Sequence, residues 1–381
     1  MMAASMHVTH VYKHYYPVIG GIENHVRTLA EEQARRGHQV TVIAASPARA
    51  GAERLVNGVR LVLLPRLATV CSTPICASFT TRLRREHADL LHLHFPYPVG
   101  EIARLASGGG TPTVVTYHCD IVRQRRLLRL YRPLLRRVLQ RADRIVVTSP
   151  PYLQTSPYLP PVREKCAIVP LGVNVARFSG NGDGSAGRGA RKRWGIPADA
   201  FLVGFVGRMR YYKGLDHLLR AVALVPEAHL LLVGDGPLRR GLERLCSALR
   251  LSDRVTFAGD VSDADLPDCY HAADVFVLPS TGRAEAFGTS LVEAMASGLP
   301  VVSTEVASGT SWVNQSGTTG LVVPPSDAVE LARAVDWLRR DPTLRAEMGA
   351  AGRRRAARVF QLSSMVDGIE DVYRAAGLRA V

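Results

Sequence analysis

The clearest regularity along the chain is an alternation of short apolar runs with longer stretches whose apolar positions recur every three to four residues. His7 to Val11, Gln39 to Ala44, Val59 to Leu64, Leu90 to His94, Thr113 to Thr116, Arg144 to Thr148 and Ala167 to Val169 read as buried strands. Helical patterns lie between them. Ile22 to Arg36 is one, ending on basic last-turn residues followed by the glycine cap Gly37. After an interruption a second series follows: Phe201 to Val206, His229 to Val233, Arg254 to Ala258, Val275 to Leu278, Pro300 to Ser303 and Gly320 to Val323. Repeated β-α alternation predicts two doubly wound α/β domains with parallel sheets.

The interruption covers residues 179–193, where Gly, Ser and Arg dominate and no apolar period survives. That composition predicts a flexible, mobile linker. The expected organisation is a domain over 1–170, a linker over 171–198, a domain over 199–361 and a terminal helix from Leu362 to Ala376. Ligands of doubly wound sheets bind beyond the C-terminal strand ends, so two such domains facing each other predict a deep cleft.

Composition adds bounds. The chain has 381 residues, 47% hydrophobic and 21% charged, a globular balance that excludes wholesale disorder. Six cysteines stand apart, with no C-x-x-C pair and no zinc spacing, as expected of reduced thiols in a cytosolic protein. The N-terminus lacks the basic and apolar regions of a signal peptide, and Met6 is a candidate natural start. No apolar run approaches the ~20 residues needed to span a bilayer. A soluble or peripheral protein is expected.

Charge changes this picture. The net charge of +15 favours anionic partners. Between Arg123 and Arg144, nine arginines interleave with Leu127, Leu128, Tyr131, Leu134, Leu135, Val138 and Leu139 at helical spacing. Such a helix suits an anionic membrane surface, with Arg123, Arg125, Arg126 and Arg129 as candidate contacts. A solvated face packing its leucines inward is the plainer reading. Pro133 predicts a break or kink.

Candidate chemistry gathers at strand ends. After the Val275 to Leu278 strand, Gly288-Thr289-Ser290 opens a helix, and a helix start with small residues presents unpaired N–H groups to a phosphate. Glu285 and Glu293, eight positions apart, would be at most ~12 Å apart along a helix axis. That matches the span from a donor sugar to its nucleotide ribose, and a carboxylate can accept two hydroxyl hydrogen bonds. Arg208 and Lys213 follow the first strand of the second domain, where they would neutralise a diphosphate. Gly20 and Gly21 follow the first strand and let backbone approach a ligand, but they do not form G-x-G-x-x-G. His118 and Asp120 follow Val114-Val115; a histidine there can bond a sugar hydroxyl, and Asp120 can hold it or meet the acceptor.

Together, Pro17…Gly20-Gly21-Ile22-Glu23, Gly207-Arg208…Lys213-Gly214, Gly234-Asp-Gly-Pro237 and Glu285 through Pro300 resemble the family 4 retaining glycosyltransferases of the GT-B fold over nearly the whole chain. His10 to Pro17, Thr116 to Val122, Arg210 to Gly214 and Gly309 to Asn314 are similar to bacterial O-antigen mannosyl- and D-rhamnosyltransferases. The resemblance implies two Rossmann-like domains facing a deep cleft. It implies a GDP-linked donor of the GDP-mannose type, and an N-acetylglucosamine acceptor on diphospho-undecaprenol. By it, Glu293 holds the ribose, and Glu285 with the amides of Phe287, Gly288 and Thr289 holds the donor sugar. Arg208 and Lys213 bind the diphosphate, Gly20 and Gly21 line the phosphate and acceptor side, and His118 contacts the transferred sugar. No metal or other cofactor is implied, nor any nucleic-acid partner. The enzyme would sit peripherally on the cytoplasmic face of the inner membrane, its last helix crossing back onto the first domain. Asn174 stands where relatives often carry aspartate. The alternatives are a UDP-sugar-dependent member with another acceptor and a GT-B-fold UDP-N-acetylglucosamine 2-epimerase.

Overall fold

The computed structural model describes residues 5–18, 20–122, 125–180 and 184–377, the side chain of Arg125 excepted. The chain divides into two units, 1–170 with 365–381, and 171–364.

The first unit is built on β1 (His7–Val11), β2 (Gln39–Ala45), β3 (Ala52–Val56) and β4 (Val59–Leu64), a hairpin of β5 (Ala68–Val70) and β6 (Thr73–Ile75), then β7 (Leu90–Phe95), β8 (Thr113–Tyr117), β9 (Arg144–Val147) and β10 (Cys166–Ile168). Eight of them form one sheet in the order β10-β9-β8-β7-β1-β2-β4-β3. All pairings are parallel except β3 with β4. Residues of β7 and β8 are buried on both faces, as a sheet covered by helices on each side requires. The antiparallel edge strand and the hairpin were absent from the expected strand set. Four of the five residues of β3 are exposed, so it carries no apolar period. Its signal was the turn Asn57-Gly58, both at positive φ (50° and 79°), a pair that favours tight hairpins.

The second unit contains β11 (Phe201–Val206), β12 (Ala228–Val233), β13 (Val255–Gly259), β14 (Val275–Leu278), β15 (Val301–Thr304) and β16 (Gly320–Val323). All pair in parallel in the order β13-β12-β11-β14-β15-β16. Renumbered within the unit this is 3-2-1-4-5-6, the Rossmann order, with its reversal between β11 and β14. The apolar runs of both series thus mark the parallel strands to within a residue or two.

Two local expectations need correction, and the place of Asn174 gains a physical account. Residues Ser185–Arg193 form a helix within the second unit, not a mobile linker. Its buried positions are Gly187 and Ala190, whose small side chains hide the periodicity that a leucine would have advertised. Arg191 fastens the helix, its guanidinium donating to Asp274 at 2.8 Å and to the Ala272 and Ala200 carbonyls at 2.9 and 2.8 Å. The arginine-rich helix Arg125–Arg141 is not broken at Pro133, which lies inside it. Pro133 is exposed, so water can take the carbonyl it frees. Asn174 caps the short helix Val175–Phe178 by accepting from the Arg177 amide, a task asparagine and aspartate perform alike.

The helix Leu362–Gly377 joins the first unit from Met365 onward. Arg36 donates to Asp367 at 2.6 Å and to Glu370 at 3.3 Å.

The packing of Ser185–Arg193 gives a paired expectation. A Cβ on Gly187 would run into the His271 carbonyl oxygen, whereas one on Gly189 meets nothing within 4 Å. Gly187→Ala should destabilise the protein by ~1–3 kcal/mol, and Gly189→Ala should stabilise it by ~0.5–1 kcal/mol. Chemical unfolding of the two variants checks this; a segment without fixed packing would leave both unchanged.

Candidate active site

In the second unit the reversal of strand order brings together the loops that leave β11 and β14. The first carries Arg208, exposed, and Lys213, buried. The second runs from Pro279 to Gly288. Backbone locks them together, with the Thr281 amide donating to the Tyr212 carbonyl at 2.8 Å. Gly214, at φ 65°, lies so close to the Pro279 carbonyl oxygen that no side chain fits there.

Side chains complete the join. Lys213 Nζ lies 2.5 Å from Glu285 Oε2, which also accepts from Ser280 Oγ at 3.1 Å. The Ser308 hydroxyl donates to the Glu285 carbonyl at 2.6 Å. Gly288, at φ 81°, turns the chain into the helix Thr289–Ala296, whose first turn contains no acid and whose start has no side-chain cap. Such a helix start presents unpaired N–H groups that suit an anion. Phe287 is buried against the rings of Trp312 and Phe360 at 6.4 and 5.8 Å, which fixes the amides that follow.

One turn into this helix, Glu293 Oε2 accepts from the Tyr270 hydroxyl at 2.5 Å. Burial pushes the Glu293 carboxyl up to about 7, against the Tyr270 hydrogen bond and the charges of Arg177 and Lys213. Among the described residues, the hydrogen bonds to both glutamate side chains fall on Oε2. Each carboxylate therefore has one oxygen tied to protein and one open for a hydroxyl.

The first-unit candidates occupy the ends of β1 and β8. Gly20 precedes the helix Gly21–Arg35, but the Glu23 carboxylate folds over it, so this helix start already faces a negative charge. Asp120 is held structurally. Its Oδ1 accepts from the hydroxyls of Tyr117 at 2.7 Å and Ser156 at 2.8 Å, and its amide donates to the Tyr152 oxygen at 2.6 Å. His118 is buried, its amide donating to the Phe95 carbonyl at 3.2 Å. Of the candidate membrane contacts, Arg123 lies outside the described residues, as does the Arg125 side chain, while Arg126 and Arg129 are exposed. Leu127 and Leu130, which follow them, are 50% and 82% exposed, whereas Leu135 and Leu139 pack inward.

The largest surprise is that His118 is not alone. His10 on β1, His92 and His94 on β7, and His25 on the first helix are all buried with it. Residues two apart on a strand share a face. The register sets His10 beside His92 and His94 beside Thr116, two positions before His118. The signal was legible as His92-Leu93-His94 in one apolar strand and His10 in another. Burial lowers all five imidazoles below their ordinary range, His10 to about 4 and His25 to about 3. Two triads, His10/His92/His94 and His25/His94/His118, bring ligand nitrogens within 4.8 Å of one another. An ion in either would have to displace hydrogen bonds that His94 makes with His10 at 3.0 Å and with His118 at 3.1 Å.

Comparisons with known proteins address the family and the fold. The family described as "Glycosyltransferase Family 4" matches residues 19–177, and "Glycosyl transferases group 1" matches residues 188–355. The chain is 34% identical over 371 residues to the O-antigen chain mannosyltransferase C of Escherichia coli, covering 97% of this chain and 98% of that protein. It is 36% identical over 363 residues to the D-rhamnosyltransferase WbpZ of Pseudomonas aeruginosa, covering 93% and 92%. Among solved structures, sucrose-phosphate synthase of Thermosynechococcus elongatus superposes with a TM-score of 0.80 at 26% identity over 97% of this chain and 98% of that one. Anabaena HepE in complex with UDP and glucose shares the fold, with a TM-score of 0.79 at 20% identity over 96% and 98%. With these relatives covered almost end to end, and with the Rossmann-ordered second unit carrying Lys213, Glu285 and Glu293 at its switch point, the chain belongs to the family 4 glycosyltransferases of the GT-B fold.

Proposed function

We propose that this glycosyltransferase moves mannose or D-rhamnose, with retention, from a GDP-linked donor to N-acetylglucosamine on a polyprenyl diphosphate, in O-antigen assembly at an anionic membrane surface. The observation that carries the donor reading is the pair Glu285 and Glu293, each with one open oxygen, bracketing an uncapped helix start beside Lys213. The relatives named mannosyltransferase and rhamnosyltransferase support the choice of sugar.

In this reading Glu293 accepts the ribose hydroxyls and Glu285 accepts sugar hydroxyls. The amides of Phe287, Gly288 and Thr289 face sugar and phosphate. Lys213 has three N–H donors; one serves Glu285, and the others remain for the diphosphate together with Arg208. Gly20 and Gly21 present backbone on the acceptor side, His118 accepts from a hydroxyl of the transferred sugar, and Asp120 holds the loop that carries it. The anomeric carbon's bond to the donor phosphate breaks while the acceptor oxygen bonds to the same face. The acceptor proton passes to the leaving phosphate oxygen, whose charge the cations and the helix dipole stabilise without a metal.

Membrane contact is assigned to the arginine-rich helix, where exposed Leu127 and Leu130 alternate with Arg126, Arg129 and Arg132. Among the described residues no helix is long and apolar enough to cross a membrane.

Three measurements test these assignments. Donor screening on a synthetic N-acetylglucosamine-diphospholipid should give product with GDP-mannose or GDP-rhamnose; product only from UDP-sugars would overturn the donor. Because the Glu293 carboxyl titrates near 7 and ribose hydroxyls bind its ionised form, raising pH from 6 to 8 should tighten GDP-mannose binding. The gain should be about tenfold and should level off above the titration. Isothermal titration of the parent and of Glu293→Gln, whose profile should be flat, checks this. Replacing Leu127 and Leu130 together by serine should weaken binding to phosphatidylglycerol vesicles several-fold in a sedimentation assay; unchanged binding removes the helix from the membrane.

A further inference from the structure

Beneath His118 the buried imidazoles are threaded by a continuous line of hydrogen bonds. His10 Nε2 lies 2.7 Å from Gln33 Oε1, His10 Nδ1 lies 3.0 Å from His94 Nε2, and His94 Nδ1 lies 3.1 Å from His118 Nε2. Gln33 Nε2 donates to the Tyr373 hydroxyl at 3.1 Å. Tyr373 lies 2.6 Å from His92 Nδ1, and His92 Nε2 lies 2.6 Å from Thr116 Oγ1. Gln33, His10, His92, His94 and Thr116 are all fully or almost fully buried.

We infer that Gln33, His10 and His94 are positioning residues that fix the tautomer of His118, so that it offers a bare Nδ1 acceptor. This deepens, and rests on, the assignment of His118 to the transferred sugar.

The polarity follows from the orientation of the Gln33 amide, whose oxygen faces His10 while its nitrogen faces Tyr373. A carbonyl oxygen only accepts, so the proton between Gln33 Oε1 and His10 belongs to His10 Nε2. A neutral imidazole carries a single N–H, so His10 Nδ1 is bare and must accept from His94 Nε2–H. The same step leaves His94 Nδ1 bare to accept from His118 Nε2–H. His118 then has no proton on Nδ1, to which no described residue is hydrogen-bonded. The neutrality this requires agrees with burial, which lowers every imidazole in the line.

The second branch repeats the polarity. Tyr373 accepts from Gln33 and so gives its own proton to His92 Nδ1, leaving His92 Nε2–H to donate to Thr116. Turning the Gln33 amide over would move every imidazole proton to Nδ1 and make His118 a donor. One amide thus decides whether the sugar meets an acceptor or a donor. A hydroxyl that donates to His118 keeps both its lone pairs, so the tautomer selects the orientation of the bound sugar. His25 stands outside the line: it packs edge-on against His94 and His118 at 5.7 and 5.0 Å, and its Nε2 has no hydrogen-bond partner among the described residues.

The test reads the tautomer directly, by long-range proton–nitrogen correlation on the full-length protein labelled with 15N-histidine. His118 is assigned by the signal lost in His118→Ala. The expected result is a protonated Nε2 and a bare Nδ1; a protonated Nδ1 overturns the proposal, and this measurement requires no folding of a variant. In Gln33→Leu, with the unfolding midpoint recorded alongside, His118 should show a mixed tautomer. Turnover of GDP-mannose on the synthetic acceptor should fall roughly tenfold in kcat while the donor KM stays within about twofold. A folded Gln33→Leu protein with wild-type tautomer and wild-type kcat also overturns it. If His118→Ala keeps wild-type turnover, the contact with the sugar falls instead, whichever nitrogen carries the proton.

Discussion

Every pairing in the second unit's sheet is parallel, and this one constraint determines where chemistry can occur. Parallel strands need crossovers, crossovers place the strand-to-helix loops at one end of the sheet, and the reversal of order between β11 and β14 parts the helices that follow them. The space so opened is lined by backbone amides and by whatever side chains the two loops carry. Here they include Arg208, Lys213 and Glu285, with Glu293 one turn into the helix that follows. The Lys213–Glu285 pair joins the loops at 2.5 Å in a buried setting, where a lone charge would be costly. The serine hydroxyl on the same oxygen lowers that cost further.

The fold was largely legible because parallel strands buried on both faces read as apolar runs. The edge strand β3 and the helix Ser185–Arg193 were not, for opposite reasons. β3 is too exposed to carry a pattern, while the helix packs through glycine and alanine, which a hydrophobic period does not register. In the donor region, composition at the strand ends pointed to Arg208, Lys213, Glu285 and Glu293. What it omitted were the partners: Tyr270, which meets Glu293 from an earlier helix, and Ser280, in the same loop as Glu285. His118 showed the same limit more sharply. Its supporting imidazoles come from two other strands, and only the register of β1, β7 and β8 brings them into line.

The two units solve the problem of buried polarity differently. The second keeps ionised groups, pairing Lys213 with Glu285 and holding Glu293 near the midpoint of its titration. The first keeps its five imidazoles neutral and satisfies four of them with directional hydrogen bonds. In the proposed reaction, charge suits the stabilisation of a leaving diphosphate. Neutral, oriented groups suit the proposed discrimination among hydroxyls, since they do not attract the phosphates themselves.

One consequence concerns the order in which the chain is made. The first unit needs residues from both ends of the sequence: Tyr373 supplies the hydroxyl that meets Gln33 and His92, and Asp367 and Glu370 meet Arg36. During synthesis residues 1–170 leave the ribosome without that helix and wait for the whole of 171–364 before they can be completed. A chain cut short before Met365 would still encode every donor-binding candidate of the second unit, yet would leave the histidine line without its base. The helix Leu362–Gly377 thus couples the integrity of a segment made late to the chemistry of one made early.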